Sequence, residues 1–164
     1  MAFNVTPLGE DHRRPVIDLL NYYIANSFAA HPDQPMGYEF YDMLLAAAQA
    51  GYPALAVISP EGQVTGFGLL RPWHPISAFR RTAEISYFLA PGQTRRGLGG
   101  LLLERLSAGG RAMGVDTLLA SVNSHNQLSQ AFHRKHGFVE CGRFVRVGRK
   151  LGRDFDVIWM QKFI

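Results

Sequence analysis

The sequence predicts a single α/β domain in three layers, built on a partly antiparallel sheet. Three observations carry that expectation. Apolar periodicity gives the order strand, two helices, a run of strands, then helix, strand, helix, strand, strand. Strands and helices do not alternate regularly, which argues against a doubly wound dinucleotide fold. The chain has 164 residues, 47% of them hydrophobic and 18% charged, enough for one packed core spanning 1–164.

The elements follow in order. Residues 3–8 read as a short strand. Between Asp11 and Asn26, the residues Val16, Leu19, Leu20, Tyr23 and Ile24 recur at helical spacing. A loop holding Pro32 and Pro35 precedes a second helix from Tyr38 to Ala50. Ala54–Ser59 and Val64–Pro72 read as strands joined by the turn Pro60-Glu61-Gly62-Gln63. Trp73 to Phe79 reads as a loop, and Thr82–Leu89 as the next strand. The longest helix is expected from Gly97 to Met113, with Gly109 and Gly110 weakening its last turns. Asp116–Val122 reads as a strand and Asn126–His136 as a short helix; Phe138–Arg149 and Asp154–Lys162 close the chain as strands.

Composition removes several function classes. No apolar run approaches the roughly 20 residues that span a bilayer. The start Met1-Ala2-Phe3-Asn4-Val5 lacks the layout of a secretory signal. Cys141 stands alone, so no disulfide framework or thiol metal cluster is expected, and a cytoplasmic location follows. The net charge is +4, with Arg134, Lys135, Arg143, Arg146, Arg149, Lys150 and Arg153 opposed within that stretch only by Glu140. Nucleic-acid binding, a small polyanion and a solvated face all fit such a surplus. No interleaved aromatics, basic arm or zinc-finger spacing favours the first.

The densest local signal is Arg95-Arg96-Gly97-Leu98-Gly99-Gly100, between the apolar run ending at Leu89 and the segment Leu101-Leu102-Leu103. A strand that turns through glycines into a helix leaves N–H donors free at the positive end of the helix dipole. Phosphate or pyrophosphate is the matching anion, and an ordinary tight turn is the alternative. A Gly-Lys-Ser/Thr ending and a complete Gly-x-Gly-x-x-Gly fingerprint are both missing.

That turn resembles the pyrophosphate loop of the GNAT superfamily of acetyl-CoA-dependent N-acetyltransferases, which reads Gln/Arg-x-x-Gly-x-Gly/Ala. Gly97 and Gly99 fit, whereas Thr94 holds the Gln/Arg position, with Gln93 before it. Four further stretches look like the phosphinothricin-acetyltransferase-like branch. These are Leu20 to Ser27, Thr82-Ala83-Glu84-Ile85-Ser86, Asn123 to Asn126 followed by Phe132 to Phe138, and Val147 to Arg153 with Asp156-Val157.

The resemblance implies a central, mostly antiparallel sheet flanked by helices, and acetyl-CoA as cosubstrate without a metal. It also implies a small amine acceptor, most simply an amino acid or analogue, and a homodimer formed through the C-terminal strands. Glu84 matches the family's general base, which takes the proton an amine must lose before it can attack. A solvent-facing glutamate, or one paired with Arg80 or Arg81, remains the alternative. Asn126, Ser129 and His133 share one helix face. Asn126 is implied at the pantetheine arm, or acts only as an N-cap. His133 is implied near the thioester sulfur as a proton donor, or packs in the core. Phe88 and Leu89 are implied through their backbones, at a bulge that parts two strands and offers an N–H to a carbonyl. Phe28 and Trp73, with Tyr38 and Phe79, are candidates for the acceptor wall, and Arg71 and Arg80 for an acidic acceptor group. The loop Ala30-His31-Pro32-Asp33-Gln34-Pro35 and Asp154 depart from the branch on the acceptor side. A non-catalytic CoA-binding sensor and a nucleic-acid-binding domain are the rival readings.

Overall fold

A computed structural model describes residues 2–164. Seven strands form one sheet in the order β1-β2-β3-β4-β5-β7-β6. The strands are β1 (Asn4–Pro7), β2 (Ala54–Ile58), β3 (Val64–Pro72) and β4 (Thr82–Leu89). They continue as β5 (Thr117–Asn123), β6 (Val139–Lys150) and β7 (Arg153–Phe163). The helices are α1 (Arg13–Asn26), α2 (Tyr41–Gln49), α3 (Leu98–Ala112) and α4 (Gln127–Lys135). Every expected strand and helix is present, with ends shifted by a few residues.

Alternation along the strands sends side chains to opposite faces of the sheet. Phe67 and Leu69 of β3 pack with Val16, Ile17, Leu20 and Ile24 of α1 and with Tyr41 and Leu44 of α2. Leu70, one residue on, packs on the other face with Leu103 and Leu106 of α3, Ile85 of β4 and Leu118 of β5. Burying each such leucine contributes about 1.5–3 kcal/mol, so the two helical layers hold the sheet from both sides. Gly109 and Gly110 do not end α3 early. A Cβ on Gly109 would come within 2.9 Å of Pro53, and one on Gly110 within 2.9 Å of Leu70. Close packing offsets their poor helix propensity, about 1 kcal/mol each.

All neighbouring strands are antiparallel except β4 and β5. That parallel pair is short: Thr82 faces Thr117, Ala83 faces Leu118, Glu84 faces Leu119, and pairing then stops. Ile85–Leu89 and Ala120–Asn123 diverge and leave a slot in the middle of the sheet. The expected bulge is not its cause. The β3–β4 register runs without a shift from Gly66–Leu89 to Pro72–Ala83, so β4 stays with β3 while β5 leaves with β7.

The basic C-terminal third is also balanced more closely than its local sequence indicates. Arg143 pairs with Glu140 and Asp156, Arg146 and Arg149 with Asp154, and Arg134 with Glu140. The two aspartates lie just beyond the basic run and return to it across the β6–β7 hairpin.

Candidate active site

The slot between β4 and β5 holds a cavity of about 110 Å³, lined among others by Arg71, Glu84, Phe88, Ser121, Ser129 and His133. The side chain of Glu84 is only 12% exposed. Its Oε1 lies 2.9 Å from Nη2 of Arg71, and Nε of Arg71 donates to Oε2 at 3.4 Å. Glu84 and Arg71 face each other in the β3–β4 register, which fixes this pair. The partners expected from sequence are elsewhere: Arg81 binds Asp116, and Arg80 turns back onto the Ser77 carbonyl. The hydroxyl of Ser121 donates to Glu84 Oε1 at 3.3 Å, and Nε2 of His31 lies 3.2 Å from that hydroxyl.

His31 is brought in by the loop after α1. Lys150, 3% exposed at the end of β6, donates from Nζ to the Ala30 carbonyl at 2.6 Å. Burial holds its amine below the usual lysine range. The ring of His31 stacks on Phe155, with centroids 6.1 Å apart. Partial burial pushes His31 below the usual imidazole range, against the Ser121 hydrogen bond and the nearby Glu84 charge.

The opposite face carries a different chemistry. His133 is 4% exposed, with Nδ1 against the Ser129 carbonyl at 2.7 Å and Nε2 2.6 Å from the Tyr87 hydroxyl. The carbonyl accepts only, so Nδ1 carries the proton and Nε2 accepts from Tyr87. Burial lowers the His133 pKa and raises that of Tyr87, so both are neutral at pH 7. In this arrangement His133 has no proton at Nε2 to give; the group it turns toward the slot's side is the tyrosine hydroxyl. Sequence reasoning did not single out Tyr87.

The backbone at the slot also differs from expectation. Ala90 N–H donates to the Thr65 carbonyl and Trp73 N–H to the Thr82 carbonyl, so even-numbered residues of β4 bond to β3. Phe88 is therefore engaged with β3, and Tyr87 and Leu89 turn their backbone groups toward the opening. The Leu89 carbonyl accepts from the Tyr23 hydroxyl at 2.6 Å.

At the far end of the slot, Gly97 caps α3 with φ +81, and a Cβ there would meet nothing, so its requirement is conformational. Leu101 N–H makes the first helical bond, to the Gly97 carbonyl at 3.0 Å. The N–H groups of Leu98, Gly99 and Gly100 precede it and have no carbonyl within α3 to bond. Arg95 also has positive φ, +62. Arg96 turns away, bonded to Gln93 and lying 4.8 Å over the Phe3 ring. Gly99 and Gly100 serve packing: a Cβ on Gly99 would lie 3.0 Å from Phe132, and one on Gly100 3.2 Å from His136. Asn126 caps α4 by accepting from Ser129 N–H at 3.2 Å.

Of the six acceptor-side candidates only Arg71 lines the cavity, and Tyr38 donates its hydroxyl to Asp18 away from it. Trp73 clusters with His74 and Phe79 on the exposed β3–β4 connection, beyond the end where β4 is still paired. Arg80 belongs to the same excursion. Phe28 packs on His125 and beneath Arg153, filling space under the hairpin. The residues missed were His31, Ser121, Tyr87 and Lys150. The signals available were a polar Ser121 within an apolar strand and the departure of the His31 loop from the branch on the acceptor side. No cluster of three or more potential metal-ligating side chains occurs among the described residues. None of the described helices is long and apolar enough to cross a membrane.

A parted strand pair, free helix-start donors below it and a half-buried carboxylate beside it define an acyl-transfer architecture. The acetyltransferase (GNAT) family profile matches residues 16–138, and the chain belongs to that family and is an N-acetyltransferase. It is 37% identical over 116 residues to an L-methionine sulfoximine/L-methionine sulfone acetyltransferase of Pseudomonas paraeruginosa, covering 71% of this chain and 67% of that protein. Over 163 residues it is 29% identical to a phosphinothricin N-acetyltransferase of Streptomyces coelicolor, covering 96% and 94%. Among solved structures, yncA of Salmonella typhimurium, with its cofactor acetyl-CoA, superposes with a TM-score of 0.91 at 27% identity, covering 99% and 94%.

Proposed function

We propose that this chain transfers an acetyl group from acetyl-CoA to the primary amine of a small amino acid or analogue, of the methionine sulfoximine, methionine sulfone or phosphinothricin type. The observation that carries this reading is the slot that opens beyond the Glu84–Leu119 pair, beside a carboxylate held by Arg71 and Ser121. The free N–H groups of Leu98, Gly99 and Gly100, with the α3 dipole and Arg95, fit a diphosphate. Acetyl-CoA supplies the activated thioester when bound.

The protein's own groups do the rest. Glu84 accepts a proton from the acceptor ammonium and frees its lone pair. A backbone N–H at Tyr87 or Leu89 holds the carbonyl oxygen as negative charge builds there. Arg71, 52% exposed, uses two N–H groups on Glu84 and keeps others for a carboxylate or phosphinate on the acceptor. Ser129 lines the slot, and Asn126, whose side chain caps the same helix, is the contact assigned to the pantetheine arm. His133 fixes the Tyr87 hydroxyl and is a positioning residue. Transfer is direct, in a ternary complex, because Cys141 is exposed on β6 and does not line the cavity. Phe28, Trp73 and Arg80, outside the cavity, are left out of this acceptor site.

We place the enzyme in the cytoplasm as a homodimer. Exposed Phe144, Val145 and Val147 on the outer strand β6 support the second point, which gel filtration checks. The deciding assay is thiol release from acetyl-CoA with L-methionine sulfoximine, L-methionine sulfone, phosphinothricin and the common amino acids. Turnover with one of them supports the reading. Silence with all amines, with acetyl-CoA still bound, replaces it by a sensor role.

A further inference from the structure

Acetylating an ammonium group liberates one net proton per turnover: R–NH₃⁺ plus a thioester gives an amide, a thiol and H⁺. A general base that takes this proton must discharge it before the next cycle. Glu84 has little direct access to water, being 12% exposed, and Arg71 occupies both of its oxygens on one side. The other neighbour at Oε1 is the Ser121 hydroxyl, with His31 directly behind it.

We propose that Ser121 and His31 form an export path that carries the proton from Glu84 to solvent. The path rests on the assignment of Glu84 as the base. Glu84, once protonated, gives its proton to Ser121 Oγ as Ser121 passes its own hydroxyl proton to Nε2 of His31. His31 takes part in the tautomer protonated at Nδ1 and becomes an imidazolium. Release of the Nδ1 proton to water leaves Nε2 protonated, the resting tautomer in which it donates to Ser121 Oγ, and exchange with solvent returns the Nδ1 tautomer for the next proton. One proton moves from the acceptor nitrogen to bulk water, and no electrons are exchanged.

Geometry supports each link. Glu84 of β4, Arg71 of β3 and Ser121 of β5 all project to the sheet face under α1 and the following loop, because their strand neighbours Ile85, Leu70, Ala120 and Val122 pack on the other face. The links at 3.3 and 3.2 Å are long for hydroxyl bonds, as is common before a substrate closes a site. His31 is exposed, giving the path an outlet. The charged groups around it are Glu84 from β4, Arg71 from β3 and Lys150 from β6, with Asp33 acting on Lys150 from the same loop. Burial, with the two cations, keeps the imidazole neutral at rest. Lys150, through Ala30, holds the loop that carries it.

The test measures steady-state kinetics with L-methionine sulfone, or whichever amine of the panel turns over fastest, across pH 6–9. Ser121→Ala and His31→Ala each lower kcat on the order of tenfold, with KM for acetyl-CoA unchanged. Ser121→Thr recovers the loss, and imidazole in the buffer recovers His31→Ala in proportion to its free-base concentration. A merely structural histidine would not respond to added buffer base. Losses below about fivefold in both alanine variants overturn the path. So does a larger loss that neither Ser121→Thr nor imidazole restores. The base assignment is judged separately: if Glu84→Gln stays active, that assignment fails. If Glu84→Gln is inactive while Ser121→Ala and His31→Ala are normal, only the export path fails.

Discussion

The two faces of the sheet at the slot are built from alternate residues of one strand, yet their electrostatics are opposite. On the α1 side, Glu84 sits in a chain of partners running from Arg71 through Ser121 to His31, open to water at the far end. On the α4 side, Tyr87 and His133 satisfy each other in a buried, neutral pair closed by the Ser129 carbonyl. A charge can be relayed through the first and has nowhere to go in the second. Period-two alternation thus lets a short segment, Glu84 to Phe88, present a charged, hydrogen-bonded chain on one side and a buried neutral pair on the other.

Glu84→Gln breaks the comparison most directly. It should lower kcat by about 10²–10⁴, with acetyl-CoA binding retained, as read by steady-state assay and calorimetry. Arg71→Ala comes next. KM for an amino-acid acceptor should rise about tenfold or more and KM for acetyl-CoA should not, because the acidic group loses its partner. On the neutral side, Tyr87→Phe leaves His133 Nε2 buried without a donor. That should cost about 1–3 kcal/mol of stability in denaturant titration and less than about tenfold in kcat. Trp73→Ala and Arg80→Ala should change neither KM by more than about twofold, since both side chains lie outside the cavity.

The neutral face also sets a pH dependence of stability. Burial holds the His133 imidazole below the usual histidine range of about 6.5 in the folded chain. The unfolded chain therefore binds protons first as pH falls. The stabilisation is complete above about pH 6.5 and is lost on acidification through the folded-state pKa. The melting temperature should drop between pH 7 and 5, and His133→Gln should flatten that slope. Carboxylates lowered by their hydrogen bonds, such as Asp116 and Asp156, act at lower pH, whereas His31 and His136, also lowered by burial, contribute in the same window, so the His133 variant removes part of the slope.

Local periodicity made all the strands and helices legible, and the glycine turn, Glu84 and Arg71 were visible as chemistry. What escaped depended on contacts distant in sequence. His31 reaches Ser121 across 90 positions, and Tyr87 reaches His133 across 46. Arg71 faces Glu84 through strand register, which a linear reading does not reveal; proximity in sequence suggested Arg80 and Arg81 instead. The glycines were located correctly but explained too uniformly. Gly97 needs left-handed backbone, whereas Gly99 and Gly100 make room for α4.

One consequence follows from the bond between Lys150 and Ala30, which joins residues 120 positions apart. The loop carrying His31 cannot reach its final position until the last hairpin has formed. During synthesis, the α1 and α2 layer can assemble long before that point. The donor turn at the start of α3 is likewise complete well before residue 150 exists. The His31 loop is thus the last part of the candidate site to be fixed, and chains cut before the hairpin would keep much of their core yet lack its Lys150 anchor.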